Sequence, residues 1–155
     1  MSEVPQDRYW LLARDKPALL THMMRFLAGE ARISFEGDLS HCKFPTTIPS
    51  ANEEASILTR QTATPRQDFI ILPLEHDTIS PILDAVLPDN RFMEDIIHIQ
   101  IEKRGELQFG SYDNFHHQCI VCFLGVTTKF LDELKQKGII RSWTTPFDGA
   151  VRWHG

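Results

Sequence analysis

Residues 97–110 read Ile-His-Ile-Gln-Ile-Glu-Lys-Arg-Gly-Glu-Leu-Gln-Phe-Gly. Ile97, Ile99 and Ile101 alternate with His98, Gln100 and Glu102, which is the period of a strand with one apolar and one polar face. Beyond Lys103-Arg104-Gly105, Leu107 and Phe109 alternate in the same way with Gln108 and Gly110, so the stretch is a β-hairpin. The turn decides the register. A two-residue loop sets Ile101 opposite a polar residue, whereas a three-residue loop closing on a left-handed Gly105 sets Ile101 opposite Leu107 and Ile99 opposite Phe109. The second register keeps the apolar residues on one face and is the one expected.

Working outward, the chain order is strand, helix, strand, hairpin, helix, hairpin, helix, strand. Arg8–Arg14 is dense in aromatic and aliphatic residues and reads as a buried strand. Asp15 and Pro17 open a helix whose stripe is Leu19, Leu20, Met23, Met24 and Leu27, and Gly29 stops it. His22 flanks that stripe, and Ala31–Glu36 returns as a strand. Residues 37–52, with Pro45 and Pro49, show neither period and read as a long loop. Ser56–Gln61 and Asp68–Glu75 read as a second hairpin, with Pro73 ending or edging its second strand. Asp77 or Thr78 caps a helix carrying Ile79, Ile82, Leu83, Val86 and Leu87. Thr127 or Thr128 caps another, with Phe130, Leu131 and Leu134 as its apolar residues and Gly138 as its stop, and Ile139–Trp143 closes the domain.

This pattern is α+β. The expectation is a single domain over residues 1–143 and a C-terminal tail over 144–155. Its sheet is mixed but mainly antiparallel, of about six or seven strands, with the helices packed largely on one face.

A chain of 155 residues buries most of its apolar surface without staples. Sixteen Lys and Arg against 21 Asp and Glu give a net charge of −5, and the basic residues are scattered. That argues against nucleic acid, which needs concentrated positive charge, and against an anionic membrane surface. The first residues lack the basic-then-apolar pattern of a signal peptide, and no apolar run spans a bilayer. Three cysteines do not make a disulfide framework, so a cytoplasmic location is expected.

One constellation offers chemistry. His116-His117-Gln118-Cys119-Ile120-Val121-Cys122 holds a Cys-x-x-Cys pair beside two histidines. With His41 and Cys42 from the long loop, the residues His116, Cys119 and Cys122 form a candidate zinc set, since structural zinc takes four such ligands. Catalysis would use Cys119 as nucleophile, His116 or His117 as base and Asp113 as the orienting acid. Against both stands the run Cys119–Leu124, which reads as buried core, because cysteine is among the most often buried residues. His98 sits on a polar strand face that reads as solvated. Neither nucleotide-binding glycine fingerprint is present, and no cofactor is expected. The preferred reading is therefore a non-enzymatic protein-interaction module, an adaptor, inhibitor or immunity-type protein. It would bind a protein partner or self-associate through aromatics such as Trp143, Phe147 and Trp153. The alternative is a Cys/His site, zinc-binding or thiol-dependent, around His116–Cys122.

Overall fold

The computed structural model describes residues 8–88 and 94–145. Along them run β1 (Tyr9–Ala13), α1 (Lys16–Leu27), β2 (Ala31–Gly37), β3 (Asp68–Leu74), α2 (Ile79–Val86), β4 (Ile96–Lys103), β5 (Glu106–Ser111), β6 (Ile120–Cys122), α3 (Thr128–Gln136) and β7 (Ile140–Thr144). The strands form one sheet in the order β3-β2-β4-β5-β6-β1-β7. Every neighbouring pair in it is antiparallel, so the α+β expectation holds with no parallel pairing among the described residues.

The helices follow from their sequences. Asp15 accepts the Ala18 N–H at 3.1 Å and Thr127 accepts the Phe130 N–H at 3.3 Å, each satisfying an amide that the first helical turn leaves unpaired. Thr78 precedes α2, but its hydroxyl turns back to Pro73 O and Glu75 instead of capping. All three helices pack on one sheet face. Leu19, Met23 and Leu27 of α1, Ile82 and Val86 of α2, and Leu131 and Leu134 of α3 merge with Ile33, Phe35, Ile99, Ile101 and Phe109 in one core. Burying each such side chain contributes about 1.5–3 kcal/mol.

The central hairpin departs from the expected register. Its loop is Arg104-Gly105, two residues with φ of 52° and 81°, and Lys103 pairs with Glu106. Positive φ at both central positions is the type I′ turn, whose twist matches that of the flanking strands. Glu102 then faces Leu107, and a bulge lets Ile101 face Phe109 and Ile99 face Ser111. Gln108 is the extra residue. Its carbonyl accepts the Phe123 N–H and its side chain accepts the Gly125 N–H at 2.7 Å. The bulge resolves the conflict that made a three-residue loop look necessary: it skips the polar residue and returns Phe109 to the core face.

A second departure shapes the other face. Ser56–Gln61 forms no strand, and the hairpin expected with β3 is absent. Instead β3 pairs along its whole length with β2, from Ala31 opposite Leu74 to Gly37 opposite Asp68. Residues 51–67 cross the sheet face opposite the helices as an irregular strap. It is joined to β3 by the Ala51–Ile71 bridge and anchored by Leu58 against Phe69 and Ile71.

Candidate functional site

Beneath the strap, the polar residues of β2 and β4 lie side by side, with Ser34 opposite Gln100 and Glu36 opposite His98. They are buried, so the solvated face expected for His98 is covered. Beyond the Ala51 bridge, the amides of residues 59, 61 and 62 in the strap are taken by side chains of the sheet. Glu36, 1% exposed, accepts the Gln61 N–H at 2.7 Å and the Thr62 N–H at 3.2 Å. Gln100 accepts the Thr59 N–H at 3.1 Å and donates to the Tyr112 hydroxyl at 3.2 Å. His98 Nδ1 accepts the Asp113 N–H at 3.3 Å, so in the neutral ring the proton sits on Nε2, which donates to Thr62 Oγ1 at 2.8 Å. Tyr112 lies over Gly110, where a Cβ would collide with its hydroxyl. Glu36, Gln100 and His98 each hold backbone or another side chain in place, as buried polar groups do.

His98 connects this layer to the segment that holds the predicted site. Between β5 and β6, Asp113, Asn114 and Phe115 all take left-handed φ, at 52°, 55° and 60°. The left-handed conformation costs roughly 1–2 kcal/mol per non-glycine residue, so the surroundings must enforce it. Asn114 donates from its backbone to Ile97 O at 2.8 Å and from its side chain to Ile96 O at 2.8 Å, and Lys16 reaches its Oδ1 at 2.9 Å. Phe115 enters the helix-side core, while Tyr112 packs with Trp10, Cys119 and Val121 on the opposite face. The turn closes with Tyr112 N–H donating to Cys119 O and Cys119 N–H donating to His116 O.

That turn brings Asp113, His116 and Cys119 together. The Cys119 sulfur lies 3.9 Å from both Asp113 Oδ2 and His116 Nδ1. The electrostatics oppose a nucleophile, however. Burial, and then the adjacent Asp113 charge, push the thiol up from 9.0 to about 11, whereas reactive thiols are held below their ordinary value. His116 Nδ1 already accepts the Gln118 N–H at 3.1 Å. Asp113 reaches the thiol itself, where a triad would set it behind the histidine. His117 is exposed and stacks on His116 with ring centroids 4.2 Å apart.

The remaining candidates lie elsewhere. Strand alternation puts Cys122 in the helix-side core and Cys119 in the opposite layer, so Cys-x-x-Cys does not converge as a chelate would. Burial pushes Cys122 above the ordinary thiol range. Cys42 packs at the edge of the helix-side core, and burial followed by Asp38 and Asp95 raises it to about 11. His41 is exposed. Among the described residues, no three His, Cys, Asp or Glu side chains are placed to close around one metal ion. Trp143 docks on its own domain, edge-on to Tyr9 and donating to Asp132 at 2.9 Å; Phe147 and Trp153 lie outside the described residues.

Two open features were missed by sequence reasoning. One is a groove of about 640 Å³ beside the β4–β5 turn, where Leu124, 66% exposed, meets Ile57, Leu107 and Phe123. The other is a cleft of about 530 Å³ at the far margin of the strap, lined by Arg60 and Phe69. Neither has a sequence signature, because each gathers residues from separated segments. No protein-family model, curated protein or solved structure matches this chain. Among the described residues no helix is long and apolar enough to cross a membrane.

Proposed function

We propose that this protein is a non-catalytic protein-interaction module that receives apolar side chains of a partner protein in the groove around Leu124. The observation that carries this reading is the meeting of exposed Leu124 with the half-buried Ile57, Leu107 and Phe123 in one groove. Lys103 fastens the hairpin end to the close of α1, donating to Leu27 O at 2.8 Å, Ala28 O at 3.0 Å and Gly29 O at 2.6 Å. Gln108 fastens the opposite wall through Gly125. A groove built in advance loses little conformational freedom on binding, and an apolar floor with Arg104 and Glu106 at its rim has the layout of an interface. The net charge of −5 favours a protein partner over nucleic acid, and three free thiols suit a reducing, cytoplasmic setting.

A photo-crosslinking residue at position 124, expressed in the native cell, tests the reading, with the same residue at Glu133 on α3 as control. A discrete adduct at 124, absent at 133 and lost when Leu107→Asp is added, is expected. An adduct at the mass of two copies identifies the partner as this chain itself. The absence of any discrete adduct at 124, or equal adducts at both positions, refutes the proposal.

The second reading, thiol chemistry at Cys119, is favoured by the convergence of Asp113 and His116 on the sulfur. It requires alkylation of Cys119 in the folded protein faster than that of Cys42, and slower labelling removes it.

A further inference from the structure

The strap holds Arg60 in an unusual frame. Four consecutive backbone N–H groups are each taken by a side-chain oxygen: Thr59 by Gln100 at 3.1 Å, Arg60 by Glu54 at 2.7 Å, Gln61 by Glu36 at 2.7 Å and Thr62 by Glu36 at 3.2 Å. Neither a helix nor a strand satisfies its amides this way. Two buried acceptors of the sheet and one carboxylate of the strap fix the chain on both sides of Arg60. Its guanidinium carbon lies 5.0 Å from the centroid of the Phe69 ring. It makes no ion pair among the described residues, and its Nε is shut off from solvent without a hydrogen-bond partner. Arg32 and Arg104 are ion-paired, with Glu102 at 2.6 Å and Glu30 at 3.0 Å, whereas Arg8, 5.6 Å from the Phe123 centroid, shares the ring contact and the unpartnered Nε.

Arg60 lines the cleft of about 530 Å³ together with Arg66, Leu39, Phe44, Phe69 and Ile70. The cleft mixes four apolar residues with seven polar ones, and its size lies in the usual range of a small-ligand site. We propose that the cleft binds a monocarboxylate with an apolar body, the carboxylate gripped by the Arg60 fork and the body lodged against Phe44 and Leu39. A planar guanidinium matches the two oxygens of a carboxylate, and stacking on Phe69 orients that plane in advance. Arg66 supplies a second donor. Its pair with Glu53, at 3.7 Å and exposed on both sides, is too weak to hold it against a ligand.

The acidic residues of the cleft set the charge it accepts. Asp68 is engaged by the Leu39 N–H at 3.0 Å, and Glu53 stands at the mouth. Two carboxylates beside two arginines tolerate one added negative charge and repel a second, which disfavours phosphate esters. A free organic acid and the C-terminus of a polypeptide ending in an apolar residue share the accepted chemistry. The proposal goes beyond the interaction reading, uses other residues and stands if that reading falls.

Titration of the full chain, followed by the backbone amide resonances of residues 59–62 and 69, tests it with phenylacetate, phenylacetamide, phenyl phosphate and the tripeptide Gly-Gly-Phe. Phenylacetate should give saturable shifts at these amides, with the neutral amide at least about tenfold weaker, the least that losing a charge-assisted hydrogen bond implies, and the phosphate weaker than phenylacetate through repulsion of its second charge. Tighter binding of the tripeptide assigns the site to a polypeptide terminus, and tighter binding of phenylacetate assigns it to a free acid; both uphold the cleft. Arg60→Met keeps an unbranched stem over Phe69 and should abolish binding, while Arg60→Lys should weaken it by roughly tenfold, because a point charge replaces the fork. The comparison of acid with amide in the unsubstituted protein decides the matter even where a variant fails to fold. Equal binding of phenylacetate and phenylacetamide, undiminished binding by folded Arg60→Met, or no shift with either acid overturns the proposal.

Discussion

Glu36→Gln is the substitution that most directly tests how the strap is held. The carboxylate is 1% exposed and each of its oxygens accepts a backbone N–H, from Gln61 at 2.7 Å and from Thr62 at 3.2 Å. Glutamine keeps the shape but has one acceptor oxygen, so its NH₂ must face a backbone donor. One charge-assisted hydrogen bond is lost and one amide is left buried without a partner. A hydrogen bond to a charged group is worth about 1.5–3 kcal/mol, and the relief of burying a neutral group offsets part of it. The expected loss is about 2 kcal/mol, or a fall in melting temperature of roughly 4–8 °C for a domain of this size. Urea denaturation reads the total, and hydrogen exchange locates it: Gln61 and Thr62 amides should lose protection first, ahead of β2 and β4. His98 should respond too, since Thr62 Oγ1 lies 2.8 Å from its Nε2. Stability within about 0.5 kcal/mol of the unsubstituted protein, typical of surface substitutions, with unchanged protection at residues 61 and 62 would refute the reasoning.

Two further outcomes follow from the turn and the thiols. Gly105→Val should cost about 1 kcal/mol or more, because φ of 81° is strained for valine although a Cβ there meets open space; an unchanged denaturation midpoint would contradict the type I′ turn. Cys42 and Cys119 are pushed up from 9.0 to about 11 in the folded chain, chiefly by burial, so the unfolded state releases their protons first as pH rises. Stability should therefore be complete below about pH 9 and fall toward about pH 11, and the fall should shrink when both are changed to alanine; an equal fall without the thiols would contradict it.

Periodicity made much of the fold legible. The apolar stripes of α1 and α3, the capping residues Asp15 and Thr127, and the alternation in β4 and β5 appear where the chain pattern puts them. Each depends on residues within a few positions of one another, which a single sequence displays. The turn shows the limit of such reading. The pattern correctly required Ile101 and Phe109 to share a face and Gly105 to take positive φ, but the cheaper solution was a bulge at Gln108, whose partners Phe123 and Gly125 come from a distant segment. Likewise Ser56–Gln61 carries strand-like residues, yet its amides are satisfied by Glu36 and Gln100, brought there only by the pairing of β2 with β4.

The candidate site divides the same way. The closeness of His116, Cys119 and Asp113 in the chain is only weak support for their meeting in space, which the turn between β5 and β6 decides; that the thiol is buried and pushed up depends on Trp10, Tyr112 and Val121 around it and on Asp113. Local sequence by itself determined the helices, most strands, the burial of Cys119–Cys122 and the α+β class, because propensity, capping and periodicity act over one or two turns; the same run, expected to stay buried through Leu124, leaves that residue 66% exposed. Tertiary structure alone decided the strand order, the strap and the setting of Arg60 on Phe69. These depend on which distant groups meet, and a buried amide or guanidinium is satisfied by any acceptor or ring the fold delivers, however far away it lies in the chain.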